Sequence, residues 1–177
     1  MKLRASTTGF VIAAAVLALD QLVKAIFLYG LGWIASLSGL RPAPVEVTPF
    51  LDFVMVWNQG ISYGLLPAST DFERWLLTLF ALGVTGFLIW WLRGVQDLRL
   101  AQAIGLIIGG AVGNVIDRIL YGAVADFFHL HAFGYSWYVF NVADTAVVMG
   151  VAVMGLDLAI SEWRARSARG RRKEDQT

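Results

Sequence analysis

The sequence predicts an all-α membrane protein of four transmembrane helices. Both termini are expected on the cytoplasmic side, with a small extracytoplasmic β element and a short interfacial helix. Three observations carry this expectation. Of 177 residues, 58% are hydrophobic and only 15% charged, with a mean hydropathy of +0.65, whereas soluble domains average about a quarter charged. Four apolar runs, at about 8–29, 75–92, 100–120 and 139–160, each approach the roughly 20 residues that cross a bilayer as helix. Cations are concentrated in alternate connections, with only Arg41 and Arg74 in the long segment 30–74, which sets orientation by the positive-inside rule.

The first run follows Lys2 and Arg4 and resembles a secretory leader. It is too long for a leader's apolar core and carries Asp20 and Lys24, so it is read as a retained helix. The segment after it holds Pro42, Pro44, Pro49 and Pro67, which excludes a long helix. Residues 45–57 are instead rich in β-branched and aromatic side chains with partial alternation. A β element is expected there, within an extracytoplasmic segment of about 40–66, closed by a turn at Asn58-Gln59-Gly60. Trp33, Trp57, Tyr63, Trp137 and Tyr138 suit a belt at headgroup level.

Arg93 and Arg99 bracket the link between the second and third runs, whereas 121–138 contains no Lys or Arg. That stretch is read as a short outer loop joining antiparallel neighbours. The fourth run leads to Arg164, Arg166, Arg169, Arg171, Arg172 and Lys173, a cytoplasmic anchor near anionic lipid. Residues 1–160 thus form one four-span domain and 161–177 a basic tail. No internal repeat is evident.

Composition narrows the chemistry. The chain has no cysteine, which excludes disulfides, thiolate metal sites and thiol nucleophiles. Two histidines cannot build a three-His metal site, and no metal or cofactor is expected. A net charge of +1 gives no reason to expect nucleic acid.

What remains is a set of polar residues at membrane depth, each costly unless it faces protein or water. Asp20 and Lys24 share a helical face. Gly110, Asn114 and Arg118 recur at four-residue spacing in the third run, with Asp117 beside them. Asn141 and Asp144 share a face of the fourth, and Asp126 follows the third. At 1.5 Å per residue, Asn114 and Arg118 lie roughly 21 and 27 Å above the cytoplasmic start of their helix, and Asp144 about 8 Å below the outer start of its own. The groups converge on one level near the extracytoplasmic surface. A shared layer implies a shared site.

Most members have structural readings. Asp20–Lys24 reads as a pair holding the bundle, and Arg118 with Asp117 as an internal ion-pair network. Asn114 and Asn141 satisfy buried groups between helices, and Gly105, Gly109 and Gly113 make a close-packing ridge. His129 and His131, flanking the short loop, read as interfacial, and Asp157 as reaching water at the inner end. Asp126 and Asp144 differ, because neither has a local cation. Two carboxyls meeting in low dielectric share one proton and can hold a water between them for attack on a carbonyl.

The motifs resemble those of lipoprotein signal peptidase (signal peptidase II), an aspartyl peptidase family of the bacterial cytoplasmic membrane. They are Asp20-Gln21-Leu22-Val23-Lys24; Asn58-Gln59-Gly60-Ile61-Ser62-Tyr63-Gly64; the run from Gly109 through Gly113-Asn114 to Asp117-Arg118, with Gly122 to Asp126-Phe127; and Trp137 to Asn141-Val142-Ala143-Asp144. Val23, Ala125 and Tyr138 depart mildly from the family pattern.

The resemblance implies that Asp126 and Asp144 are the catalytic pair, supported by Asp20, Lys24, Asn58, Gly60, Asn114, Arg118 and Asn141. It implies cleavage of the signal peptide from diacylglyceryl-modified prolipoproteins, on the amino side of the lipidated cysteine, by a monomer whose partners are that substrate and membrane lipid. Two rivals are weaker. A Ser–Lys hydrolase using Lys24 with Ser62 or Ser136 conflicts with Asp20, which raises a lysine's pKa. A proton-coupled carrier or channel would place its site near the midplane and often show inverted repeats.

Overall fold

A computed structural model describes residues 5–60 and 70–174, with side chains to residue 163. Lys2, Arg4, Ser62, Tyr63, Pro67, the second half of the Asn58 motif and the cationic side chains of the tail lie outside the described residues.

Helix α1 (Ala5–Ala25) runs into a π-helical turn (Ile26–Gly30), followed by a 3₁₀ turn (Trp33–Ser38). Strands β1 (Val45–Thr48) and β2 (Leu51–Asn58) come next, then α2 (Asp71–Leu92) and α3 (Leu98–Tyr121). Strands β3 (Val124–Ala132) and β4 (Tyr135–Phe140) precede α4 (Val142–Glu174). Four segments are long and apolar enough to cross a membrane: Ala5–Gly30, Asp71–Leu92, Leu98–Tyr121 and Val142–Trp163.

Local chemistry sets the helix ends. Thr70 and Glu73 form a reciprocal capping box, so α2 begins at Asp71, earlier than the apolar run suggests. Asp97 caps α3 through the Leu100 amide, and Gly122 ends it in the left-handed region at φ 76°. Helix α4 starts only after Phe140, because residues 139 and 140 complete β4.

Helix α3 is the most buried of the four, and its glycines explain why. A Cβ on Gly105 would strike the Gly9 backbone, one on Gly109 the Ala13 carbonyl, and one on Gly110 the Ala143 carbonyl. Gly105 and Gly109 therefore admit α1 on one side, while Gly110 admits α4 on another, at backbone-to-backbone distance.

The expected β element is present, but it belongs to a larger sheet. Residues 124–140 are no short loop: they form a hairpin that completes a four-stranded antiparallel sheet in the order β1-β2-β3-β4. The run Val124 to Ala132 and the run Tyr135 to Phe140 carry the β-branched and aromatic residues of strands. Phe133 and Gly134 lie at φ 52° and 79°, the conformation of a two-residue hairpin turn whose twist matches its strands. His129 and His131 consequently sit on β3 itself.

The sheet is seated on the end of α1 through Phe27. Its ring stacks on Phe127 at 4.2 Å and meets Phe53 edge-on at 5.0 Å, with Trp33 packed alongside. Where β2 crosses β3 the register shifts between Phe53 and Val56, which pair with Phe128 and Asp126. One extra residue on β2 makes a bulge beside Asp126, a common means of re-aiming side chains near a site.

Gly105→Ala is expected to lower the thermal midpoint in detergent, at a cost of about 1–3 kcal/mol typical of overpacking. Gly86→Ala on α2, where a Cβ meets nothing within 4 Å, is expected to leave the midpoint unchanged or raise it. Equal effects of the two substitutions in a melting assay would contradict the packing described.

Candidate active site

The polar residues converge on the end of the bundle that carries the sheet. Lys24 lies at the centre, with its ammonium 2.8 Å from Asp20 Oδ2 and 2.8 Å from Asp117 Oδ2. All three residues are at most 2% exposed. Lys24 also donates to Asn114 Oδ1 at 3.3 Å. Four apart on α1, Asp20 and Lys24 meet as their spacing predicts. Asp117 pairs with Lys24, not with Arg118 as the sequence suggested, because α3 turns that face toward α1.

Each of the two carboxylates has a second task. Asp20 Oδ1 accepts the Ala143 amide at 2.9 Å, and Asp117 Oδ2 accepts the Ala125 amide at 3.1 Å. Ala143 and Ala125 immediately precede Asp144 and Asp126. The buried ion-pair cluster therefore fixes the backbone one residue before each member of the expected dyad.

Asn114 and Asn141 complete the frame. Asn114 Nδ2 donates to Asp144 Oδ1 at 2.8 Å, while its Oδ1 accepts from Asn141 Nδ2 at 3.1 Å as well as from Lys24. Asn141 Nδ2 donates to Asp126 Oδ1 at 2.7 Å. Its Oδ1 accepts the Asp144 amide at 2.9 Å, the bond of an N-cap residue opening α4. One amide side chain thus touches the carboxyl of Asp126 and the backbone of Asp144.

From the sheet, Asn58 Nδ2 donates to Asp126 Oδ2 at 3.0 Å, and Asn58 Oδ1 accepts the Gly60 amide. Arg118 Nη2 donates to the Gly60 carbonyl at 2.9 Å, which ties the turn after β2 to α3. Arg118 also lies in the field of Asp144, Asp126 and Asp117.

Asp126 is almost wholly buried at the inner end of β3. Burial, followed by the Asp144 charge, pushes its carboxyl well above the usual carboxylate range, and donation from Asn58, the Lys24 charge and donation from Asn141 offset only part of this. A carboxyl with raised proton affinity in the field of another carboxylate is suited to acid–base chemistry.

All the expected site residues are thus in one connected network. Sequence reasoning missed Gln21, whose amide reaches Asp20 Oδ2, the Gly113 carbonyl and Asp117 Oδ1. Its place between Asp20 and Lys24 was the available signal. Lys24 is committed to two carboxylates, and Ser136 bonds His129 on the sheet, so neither supports a Ser–Lys pair. Asp157 faces Arg99 at 3.9 Å, far along α4 from this site.

Residues 12–160 match the family model described as signal peptidase (SPase) II. The chain is 46% identical over 160 residues to the lipoprotein signal peptidase of Methylobacterium sp. (strain 4-46), covering 90% of this chain and 93% of that one. It is 47% identical over 150 residues to the lipoprotein signal peptidase of Methylorubrum extorquens (strain PA1), covering 85% and 84%. A bacterial membrane enzyme structure solved by the in meso method at 2.3 Å superposes with a TM-score of 0.69 at 29% identity, covering 88% of this chain and 90% of that one.

Lys24→Met leaves Asp20 and Asp117 buried without their cation, and is expected to destabilise the protein by about 3–5 kcal/mol. Adding Asp117→Asn should recover part of that loss. A Lys24→Met protein that melts like the parent would remove the cluster from its central role.

Proposed function

Because the chain belongs to the signal peptidase II family, an aspartic-type peptidase family of multi-pass membrane proteins, we propose that Asp126 and Asp144 are its catalytic dyad. On this reading it removes the signal peptide from diacylglyceryl-modified prolipoproteins, cutting on the amino side of the lipidated cysteine. The observation that carries it is Asn141, which binds the Asp126 carboxyl at 2.7 Å while capping the helix turn that bears Asp144. No observation favours the carrier alternative.

The raised carboxyl of Asp126 supports giving it the acid's role and Asp144 the base's, which the sequence left open. Asp126 enters protonated and donates to the scissile carbonyl oxygen. Asp144 enters ionised and takes a proton from the water held between them as its oxygen attacks the carbonyl carbon. Collapse of the tetrahedral intermediate breaks the C–N bond. Asp144 then passes its proton to the departing amine, and Asp126 recovers one from the hydroxyl that becomes the new carboxyl. Asn58, hydrogen-bonded to Asp126 at the turn, can also donate to the developing oxyanion. Arg118, through Gly60, holds that turn.

The remaining framework follows the same reading. Both termini face the cytoplasm, the dyad lies at the extracytoplasmic face of the bacterial inner membrane, and the 3₁₀ turn lies at the interface. Residues 1–160 act as one monomeric peptidase domain, and 161–177 as a basic tail. β1 and β4 are the edges of the sheet, where an extended stretch of substrate near the cleavage site can pair through its main chain.

Asp126→Asn and Asp144→Asn should each lower cleavage of a lipidated precursor in detergent by roughly 10²–10⁴-fold, the usual worth of a general acid or base, while melting like the parent. Either variant cleaving at the parental rate would refute the dyad. The family's macrocyclic inhibitor globomycin should block the parent.

The pH profile provides a separate check. Activity should fall as pH rises through the elevated Asp126 value, because the acid then loses its proton. Asn58 donation stabilises the ionised form, so Asn58→Ala should move that basic limb to higher pH. A limb that stays in place, or moves lower, would assign it to another group.

A further inference from the structure

Away from the dyad, the sheet holds a second set of titratable side chains that the peptidase chemistry does not use. Asp52 on β2 stands directly across from His129 on β3, and His131 follows two residues later on the same face. His131 Nε2 is 2.9 Å and His129 Nδ1 3.6 Å from Asp52 Oδ2. One ligand atom from each residue lies within 4.8 Å of both others.

Two details set this cluster apart from an ordinary surface network. Asp52 Oδ1 is a buried atom without a hydrogen-bond partner among the described residues, a costly condition for a polar group, and the buried His131 Nε2 meets Asp52 Oδ2 at 2.9 Å without hydrogen-bond alignment. The far side of His129 is engaged: its Nε2 lies 2.6 Å from Ser136 Oγ on β4. A neutral His129 that donates Nε2–H to Ser136 directs the Nδ1 lone pair toward Asp52. Metal-ligating histidines commonly donate the N–H of their other ring nitrogen to an oxygen acceptor in this way, which fixes the ring's orientation.

We propose that Asp52, His129 and His131 form a binding site for a divalent transition-metal ion of the Zn²⁺ class. Zinc bonds to imidazole nitrogen and carboxylate oxygen of about 2.0–2.2 Å imply ligand atoms roughly 3.4 Å apart in a tetrahedron, and the separations of 2.9 and 3.6 Å bracket that spacing. Two imidazoles and one carboxylate suit Zn²⁺ or Co²⁺ better than Ca²⁺ or Mg²⁺. Three protein ligands leave a fourth position for water or an incoming group. The ion clamps β2 to β3 and, through Ser136, to β4. His131 also lines a groove of about 380 Å³ with Phe50, Leu130, Tyr135 and Trp137, so the ion steadies one wall of an apolar surface.

The test uses tag-free, full-length protein in detergent, titrated with Co²⁺ and then Zn²⁺. One Co²⁺ per chain is expected, with the strong visible bands of tetrahedral coordination, displaced by Zn²⁺ and accompanied by a rise in melting temperature. Ser136→Ala should weaken binding roughly 10–100-fold, and Asp52→Asn, His129→Asn and His131→Asn should weaken it further. Melting of each variant with chelator should match the parent, which separates ligand loss from misfolding. Asp126→Asn should bind as the parent does. The absence of a saturable site, or a site that survives His131→Asn or is lost in Asp126→Asn, would overturn the assignment. X-ray absorption of the Zn²⁺-loaded parent gives a reading that needs no variant: two imidazoles bound to the ion support the site, and one or none refutes it.

Discussion

The arrangement depends on one ammonium group buried among apolar helices. Lys24 is neutralised at 2.8 Å by Asp20 from its own helix and by Asp117 from α3. A charge at membrane depth without such partners costs several kcal/mol. The partners pass the constraint on, since Asp20 holds the amide before Asp144 and Asp117 the amide before Asp126. Asn114, which accepts from the same ammonium, reaches Asp144 directly. An interaction whose first task is to make burial tolerable thereby sets the relative position of two carboxyls from separate stretches of chain.

The helices and the sheet contribute differently to that precision. Glycines on α3 bring α1 and α4 to backbone contact, which fixes Asp144 on a rigid support. Asp126 sits on a strand, and a strand twists. The bulge between Phe53 and Val56 sets its direction, and the ring of Phe27, stacked on Phe127, pins the next residue to the end of α1. Asn58, whose carboxamide answers both Asp126 and the Gly60 amide, closes the sheet against the turn that follows it.

Much of this was legible in the sequence because lipid simplifies the problem. Helix spans declare themselves by length and apolarity, and ionisable residues within them are few enough to compare by depth. That comparison alone placed Asp20, Lys24, Asn114, Arg118, Asn141 and Asp144 on one level. The hairpin of β3 and β4 was hidden because its turn is Phe133-Gly134, with a bulky residue at positive φ where Asn or Asp would have announced it. The partner of Asp117 was misread because sequence proximity favours Arg118, whereas helical phase and packing deliver Lys24. Nothing in the sequence marks Asp52, since its relation to His129 exists only in the register between strands distant in sequence.

On the proposed roles, Asp126 meets opposing demands, and the amides around it answer both. A carboxyl acting as an acid must keep its proton, which burial and the neighbouring Asp144 promote. It must also release that proton as the carbonyl oxygen gains charge, and a carboxylate left bare in this environment would be too unstable to form. Asn58 and Asn141 donate to both its oxygens at 3.0 and 2.7 Å, which stabilises the ionised product without adding a charge. A lysine or arginine there would stabilise the carboxylate more, but would strip the proton before substrate arrived. The full charges, Lys24 and Arg118, bond elsewhere in the network, and the Lys24 ammonium favours the ionised Asp126 only through its field. On that reading, neutral donors on the acid and cations set farther back let one carboxyl both hold and surrender a proton.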